Sequence, residues 1–320
     1  CLESGEKKRE ADSSASLEEE KPVSENVKRK RRRGDRRDAR WVREVTGLQT
    51  VMANLMPKRA DCEVYLHDTF DATNLVKFLE KRNAEHPEYK TTVFHAFVVC
   101  LERMLRERPL MNRYISGRRT YERFDITVSF ICKRKFADGA EESLLTVTAR
   151  DGDTLDSVSR HIVGDVTQTR KSDHSTGGID SAIDAFARLP RFLLIPVFGI
   201  IRFLDFWGLM PKALTEGDTN YSSVLVSNLG SIKAPAVYHH LNNYGTNSIM
   251  VTLGTLHKEE MLMPDGSREL RDVVDVGATL DERIGDGFYF ARSLKLIKYI
   301  FEHPELLDQP LSEPSGFEYK

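Results

Sequence analysis

The chain has 320 residues, 40% of them hydrophobic and 30% charged, which is enough for one large or two medium globular domains. Its formal net charge of -2 gives no overall case for a nucleic-acid-binding protein. The four cysteines contain no Cys-x-x-Cys pair, which argues against a disulfide framework and a zinc site and favours a reduced, cytoplasmic setting.

The first 40 residues mix acidic and basic runs with serine and hold almost no large apolar side chains. Such a composition cannot bury a core, so the sequence predicts that residues 1–40 form a disordered charged tail. The tail contains a basic block: Lys28 to Arg33, then Arg36, Arg37 and Arg40. We favour a solvated linker and expect no specific nucleic acid. The alternative is a contact between residues 28–40 and an anionic surface such as a membrane.

The globular pattern begins near Trp41, and a single domain of residues 41–310 is predicted. Asp71 and Thr92 are helix-capping residues, and apolar side chains follow each of them at helical spacing. The predicted elements are a strand at 61–70, a helix from Asp71 to about Glu85, a helix from Thr92 that Pro109 ends, strands at 124–131 and 143–149, and a helix from about Thr154 to Lys171.

An unusually apolar segment spans residues 189–214, and nine apolar, Gly or Pro residues run from Leu193 to Ile201. A membrane-spanning helix needs about 20 apolar residues, so this segment is too short to cross a bilayer. We favour a buried helical hairpin broken at Pro196. Two alternatives stay open: a wall of an acyl channel, or a surface that contacts lipid or a partner.

Four strands are predicted next, at 221–228, 247–255, 258–264 and 271–280, with a hairpin turn at Pro264-Asp265-Gly266 between the last two. A terminal helix ends near His303 and Pro304, and residues 311–320 form a polar tail. Helices and mostly antiparallel strands together predict an α/β (α+β) fold, in which a mixed sheet covered by helices forms a two-layer sandwich.

A strand, a charged elbow and a helix follow one another at residues 276–290. The elbow reads Asp281-Glu282-Arg283-Ile284-Gly285-Asp286-Gly287. It resembles the Asp-His-Arg-x-x-Asp-Gly motif of the chloramphenicol acetyltransferase-like superfamily, and most closely that of the acyltransferase catalytic domain of 2-oxoacid dehydrogenase complexes. Glu282 stands where that family has its catalytic histidine. The second matching segment, Val226-Ser227-Asn228-Leu229-Gly230, resembles Ile-Ser-Asn-Leu-Gly of the same family.

The resemblance implies a chloramphenicol acetyltransferase-like fold and a homotrimer with active sites between subunits. It implies that the Ser227 hydroxyl stabilises the oxyanion formed during acyl transfer. Asn228, Arg283 and Gly287 would support the site structurally, and Asp286, which we count with the catalytic residues, would orient the site together with Arg283 through ion pairs. Acyl-CoA or acyl-lipoamide would be the substrate, and no tightly bound cofactor is expected.

The base that accepts the proton of the acyl acceptor has two candidates. One is Glu282, although a carboxylate is by default a weaker base than imidazole. The other is one of His239 and His240, which lie in a predicted loop soon after Ser227. Adjacent histidines point apart, so only one of them would serve, and with His257 they form no zinc-ligand spacing. Both histidines can also be hydrogen-bonded loop residues.

Two functions follow from this sequence. We favour an acyltransferase that moves an acyl group from a thioester to an acceptor that the sequence does not specify. The alternative is a catalytically inactive relative that keeps the trimer and serves as a binding or scaffold protein, because Glu282 replaces the histidine of the family.

Overall fold

The computed structural model describes residues 31–133, 142–171, 189–215, 217–263 and 265–319. The strands are β1 (Ala39–Trp41), β2 (Glu63–Asp71), β3 (Arg113–Ser116), β4 (Arg119–Arg123), β5 (Thr127–Lys133), β6 (Glu142–Thr148), β7 (Val224–Asn228), β8 (Ile249–Leu253), β9 (His257–Leu262) and β10 (Arg268–Asp281). The helices are α1 (Gly47–Leu55), α2 (Thr73–Glu85), α3 (Val93–Glu107), α4 (Leu155–Lys171), α5 (Arg191–Trp207), α6 (Lys212–Thr215) and α7 (Gly287–Glu302).

The main sheet has the strand order β2-β10-β8-β7-β5-β6, and β9 pairs with the first half of β10. It is mixed, because β7 runs parallel to β5 and β8 while the other neighbours are antiparallel. Helices α2, α3, α4 and α7 pack on one face of this sheet. This arrangement confirms the predicted fold class of a mixed sheet covered by helices.

The core lies between those helices and the sheet, and alternate residues of the central strands point into it. Val226, Val251 and Val276 are buried in the core, whereas their neighbours Ser227, Thr252 and Gly277 point to the other face. Helix α3 is buried along most of its length, and its first turn is closed by a capping box between Thr92 and His95. The predicted helix start at Thr92 is therefore confirmed.

A smaller antiparallel sheet with the order β1-β4-β3 lies beside the main one, and the sequence did not predict β3 or β4. It also changes the first domain boundary. Ala39 is fully buried on β1, and Arg36 is buried with its guanidinium bound to the carbonyls of Asp205 and Phe206. The predicted tail therefore ends before position 40, and Arg36 does not face solvent as the basic-block interpretation assumed. Residues 1–30 lie outside the described residues.

The segment at 189–214 differs from the favoured prediction. Residues 191–207 form one continuous helix, α5, in which Pro196 removes only one backbone hydrogen bond, and most of the apolar side chains of α5 are exposed. The predicted buried hairpin broken at Pro196 is therefore wrong. A run of Leu, Ile and Phe favours helix, but the run alone does not determine whether another element covers it.

The other predicted elements are close to those found. In the β9–β10 turn, the Met263 amide donates to the Ser267 carbonyl oxygen and the Gly266 amide donates to the Met263 carbonyl oxygen, and Pro264 lies outside the described residues. At the C-terminus, the structured chain continues past the predicted boundary at 310. Leu311 is buried, and the Ser315 hydroxyl donates to the Glu107 carboxylate, so the polar tail is attached to α3.

Candidate functional site

Ser227 lies near the end of β7, half-buried, on the sheet face opposite the core helices. The strand register places Ser227 beside Thr252 of β8, and Thr252 beside Gly277 of β10. Residues that lie opposite each other on neighbouring strands point to the same face. Ser227, Thr252 and Gly277 therefore form a row across this face of the sheet.

Glycines allow backbone to approach this row closely. A Cβ at Gly230 would lie 2.6 Å from the carbonyl oxygen of Gly254, and a Cβ at Gly277 would lie 2.8 Å from the carbonyl oxygen of Val237. Any larger residue at Gly230 would displace the turn that follows Ser227. The close contact with Gly254 therefore explains why the Ser-Asn-Leu-Gly segment has glycine at position 230.

A loop at residues 233–247 crosses the same face from the Ser227 row to the far end of β10. Near the row, the Thr252 hydroxyl donates to the carbonyl oxygen of Val237 at 2.5 Å. At the far end, the Leu241 amide donates to the carboxylate of Glu63 on β2, and Glu63 lies opposite Asp281 in the strand register. The loop therefore connects the two ends of the sheet.

The two candidate histidines lie at that far end, immediately before Leu241. His239 is half-buried and His240 is exposed. The Nδ1 atom of His240 is 3.4 Å from the carbonyl oxygen of Leu241. A carbonyl oxygen only accepts, so Nδ1 is the donor wherever this contact forms a hydrogen bond, and in that tautomer of the neutral ring Nε2 keeps its lone pair.

A buried charge cluster holds the elbow after β10. Asp281 is fully buried and accepts hydrogen bonds from Arg283 at 2.7 and 2.6 Å, while Nε of Arg59 lies 3.7 Å from Oδ2 of the same carboxylate. Burial acts to lower the pKa of the Arg283 guanidinium, but the hydrogen bonds and charge of Asp281 outweigh it, and that pKa is raised. Burial lowers the pKa of the Arg59 guanidinium, against the opposing charge of Asp281.

Arg59 also ties the loop to this cluster. Its guanidinium donates to the carbonyl oxygens of Asn242 at 2.6 Å and Gly245 at 3.1 Å. One side chain therefore fixes both the elbow and the loop that carries His239 and His240. Sequence reasoning missed Arg59 because its partners lie about 180 residues away along the chain, and no local pattern marks it.

Glu282 and Asp286 have different environments. Glu282 is half-buried in the short turn Glu282–Ile284. Asp286 is exposed, and its carboxylate caps α7 by accepting a hydrogen bond from the Tyr289 amide at 2.7 Å. Gly287 is the first residue of α7, and a Cβ there would meet nothing within 4 Å. Arg283 pairs with Asp281, and the described contacts of Asp286 are with its own helix.

Cys62 lies beside the cluster but has the chemistry of a buried thiol. Its Sγ atom lies 3.2 Å from the carbonyl oxygen of Lys58, and burial raises its pKa to about 11. The thiol therefore stays protonated near neutral pH. In the part of the chain that the structure describes, no group of three or more His, Cys, Asp and Glu side chains is arranged to hold a metal ion.

Within one copy of the chain, Ser227 and Glu282 are far apart. Gly277, in the Ser227 row, is two strands away from Ser227 and five residues before Glu282. With neighbouring strands about 4.8 Å apart and about 3.3 Å per residue along a strand, the separation is about 20 Å. The structure brings His239, His240 and Glu282 to one end of the sheet and places Ser227 and Asn228 at the other.

Comparison with known proteins finds relatives that are similar in sequence. The family model of the 2-oxoacid dehydrogenases acyltransferase (catalytic domain) matches residues 39–134. The lipoamide acyltransferase component of the branched-chain alpha-keto acid dehydrogenase complex of Bacillus subtilis (strain 168) is 23% identical over 269 residues. That alignment covers 81% of this chain and 51% of the relative, so the chain spans about half the length of the curated relative it matches.

Solved structures are similar in fold at low identity. A probable dihydrolipoamide acetyltransferase from Listeria monocytogenes 4b F2365 has a TM-score of 0.55 and 17% identity, over 86% of this chain and 97% of that one. A chloramphenicol acetyltransferase has a TM-score of 0.50 and 11% identity, over 82% of this chain and 99% of that one. The resemblance predicted from residues 226–230 and 281–287 is therefore confirmed, and the chain has a chloramphenicol acetyltransferase-like fold.

Proposed function

We propose that this chain, which has the fold of the acyltransferase cores, moves an acyl group from a thioester to a thiol acceptor. The observation that carries the proposal is the position of the Ser227 side chain. This side chain lies half-buried on the sheet face opposite the core helices, near the end of a strand, and Gly230 keeps the turn that follows tight against Gly254. A hydroxyl fixed in this way is suited to stabilise an oxyanion.

The residues would divide the chemistry as follows. The acceptor thiol attacks the thioester carbonyl carbon while Nε2 of His240 takes the thiol proton. The Ser227 hydroxyl donates a hydrogen bond to the oxyanion of the tetrahedral intermediate. Collapse of the intermediate breaks the bond to the donor sulfur, and that thiolate receives the proton from His240. Glu282 and His239 lie at the same end of the sheet as His240 and are the other candidates for the base.

Two copies of the chain are needed for this reaction. One thioester cannot contact groups about 20 Å apart, so Ser227 of one copy must face His240 and Glu282 of another. We propose a homotrimer with one such site at each contact between subunits. The Arg59–Asp281–Arg283 cluster would hold the loop and the elbow in place for the neighbouring copy.

The names of the relatives suggest the substrate class. Lipoamide and dihydrolipoamide acyltransferases are among the similar proteins, so we propose acyl-CoA or acyl-lipoamide as the thioester and no tightly bound cofactor. A lipoyl group could be supplied by another chain. We also propose that the protein works in the cytoplasm, where thiols stay reduced.

A specific observation favours a second function. Glu282 occupies the position of the catalytic histidine of the family, as it would in a relative that has lost its base and acts as a trimeric binding or scaffold protein. In that case the intact oligomer would show no thioester turnover, and Glu282→His would restore some activity.

The test is acyl transfer from acetyl-CoA and longer acyl-CoA donors to dihydrolipoamide, followed by chromatographic detection of the acylated product. Ser227→Ala should lower kcat at least tenfold, since removal of one oxyanion donor costs roughly two to three orders of magnitude. Ser231→Ala is the matched control, because it removes a different hydroxyl from the same turn. The Ser231 hydroxyl donates to the carbonyl oxygen of Asn228. Equal rates for wild type and Ser227→Ala would remove Ser227 from the mechanism.

A further inference from the structure

Helix α5 carries a broad apolar surface that no other part of the described chain covers. Phe192 is 72% exposed, Ile195 76% and Ile200 59%, and Phe203 and Trp207 are also exposed. At 100° per residue, the exposed positions of α5 span an arc of about 200°. A helix that serves only as a core element exposes its polar side, whereas α5 exposes apolar side chains.

The opposite side of α5 attaches the helix to the domain. Leu194, Val197, Ile201 and Leu204 form a half-buried stripe at helical spacing. At the C-terminal end, the buried carboxylate of Asp205 accepts a hydrogen bond from the Tyr221 hydroxyl at 2.8 Å. The helix is therefore attached along this stripe and hydrogen-bonded at its C-terminal end, while its exposed arc faces away from the domain.

Arginines surround that attached end. The guanidinium of Arg36 donates to the carbonyl oxygens of Asp205 and Phe206, both at 2.9 Å, which holds residues 31–37 beside the helix. The turn at Gly117 also touches it, because a Cβ at Gly117 would lie 2.6 Å from the Phe206 carbonyl oxygen. Six arginines in these two segments are exposed, and we call them the arginine cluster: Arg31, Arg32, Arg33, Arg37, Arg118 and Arg119.

The charge of α5 itself has the same sign. Its exposed charged residues are Arg191 and Arg202, and its acidic residue, Asp205, is buried. Asp35, within the arginine cluster, is engaged by the backbone amides of Arg32 and Trp41. An apolar helix with cationic groups at its attached end is complementary to an anionic bilayer, in which a charged headgroup layer covers an acyl layer.

We propose that α5 and the arginine cluster dock this protein on the surface of an anionic lipid bilayer. A helix that packs on a protein core typically presents an apolar stripe of about 100°, and the exposed arc of α5 is about twice as wide, which favours a lipid layer over a single partner helix. The 17-residue helix is about 25 Å long, less than the hydrocarbon core of about 30 Å, so α5 lies within one leaflet. Consistently, among the described residues no helix combines the length and apolarity needed to cross a membrane.

The experiment is flotation of the full chain with vesicles of phosphatidylcholine alone and of phosphatidylcholine with phosphatidylglycerol. Wild type should float with the anionic vesicles and less with the neutral ones. Ile195→Asp with Ile200→Asp should lower vesicle binding roughly tenfold, and so should the separate triple variant Arg31→Ser, Arg32→Ser and Arg33→Ser. Leu262→Asp with Leu270→Asp is the matched control, because both leucines are comparably exposed on the β9–β10 hairpin, and it should bind like wild type.

Tryptophan fluorescence provides a second measurement, because one of the two tryptophans of the chain, Trp207, lies on α5. Anionic vesicles should shift its emission to shorter wavelength, and Trp207→Phe should remove the shift. Equal flotation with both vesicle types, or wild-type flotation of the Ile195→Asp/Ile200→Asp variant, would contradict the proposal. Loss of oligomer mass in that variant without any change in vesicle binding would assign α5 to a contact between copies and also contradict it.

Discussion

Ser227 and Glu282 lie on opposite ends of one sheet, two strands and several residues apart, at a separation of about 20 Å. The loop that carries His239 and His240 begins near the Ser227 row and ends near Glu282. In the proposed reaction, Ser227 and the candidate bases of a single copy of the chain therefore belong to two separate half-sites. The proposed acyl transfer requires that the half-sites of different copies meet.

The turn after Ser227 should tolerate no side chain at Gly230. In Gly230→Ala, the new methyl would meet the Gly254 carbonyl oxygen at 2.6 Å, so the turn must move and carry Ser227 with it. We expect kcat to fall at least tenfold, since a displacement of about 1 Å can cost roughly a hundredfold. The control is Gly164→Ala in α4, where a Cβ meets nothing within 4 Å and should stabilise the helix by about 0.5–1 kcal/mol. Normal turnover in Gly230→Ala would show that the turn is not rigid.

The buried carboxylate of Asp281 should be important for stability. In Asp281→Asn, the guanidinium groups of Arg283 and Arg59 lose their buried counter-charge, and we expect the unfolding free energy in urea to fall by about 3 kcal/mol. The exposed pair of Arg268 and Glu260 is the control, and Glu260→Gln should cost less than about 1 kcal/mol. Similar losses in the two variants would mean that the cluster at Asp281 contributes no more than a surface pair.

Much of the fold was predictable because its signals are local. Thr92 and His95 form a capping box within four residues, and the alternation in β7 and β10 marks which side chains enter the core. The Ser227 and Asp281 segments were recognisable because their residues are contiguous. Their assignment to one catalytic site stays a prediction.

Long-range contacts limited what the sequence could predict. Arg36 belongs to a basic run that is typical of a solvated tail, yet carbonyl groups about 170 residues away bind its guanidinium. Arg59 gave no local signal for the same reason. The composition of α5 predicts a helix but not its exposure, because exposure depends on which other elements pack against it.

Glu102 should make the protein less stable as the pH rises. It is fully buried on α3, both of its carboxylate oxygens are unpartnered within the described residues, and burial raises its pKa to about 8. In the unfolded chain it ionises at an ordinary, lower pKa. Between these two values the folded state holds more protons, so the unfolding free energy falls as pH rises from about 4.5 to about 8.

The measurement is urea unfolding at pH 5 and pH 8 for wild type and Glu102→Gln, which cannot ionise. Each pKa unit corresponds to about 1.4 kcal/mol, so the wild-type decrease should exceed that of the variant by a few kcal/mol. Parallel pH profiles for the two proteins would contradict the assignment of the pH dependence to Glu102.

The most direct test of the central claim is subunit complementation. One parent is Ser227→Ala, and the other carries Glu282→Gln, His239→Ala and His240→Ala together, so that all candidate bases are removed from one half-site. Each parent alone should lack acyl transfer. Co-expressed in equal amounts, they should assemble at random into a trimer population with about a quarter of the wild-type activity, since one in four contacts between subunits in that population pairs two intact half-sites. Mixed trimers as inactive as their parents would contradict a site that is shared between copies.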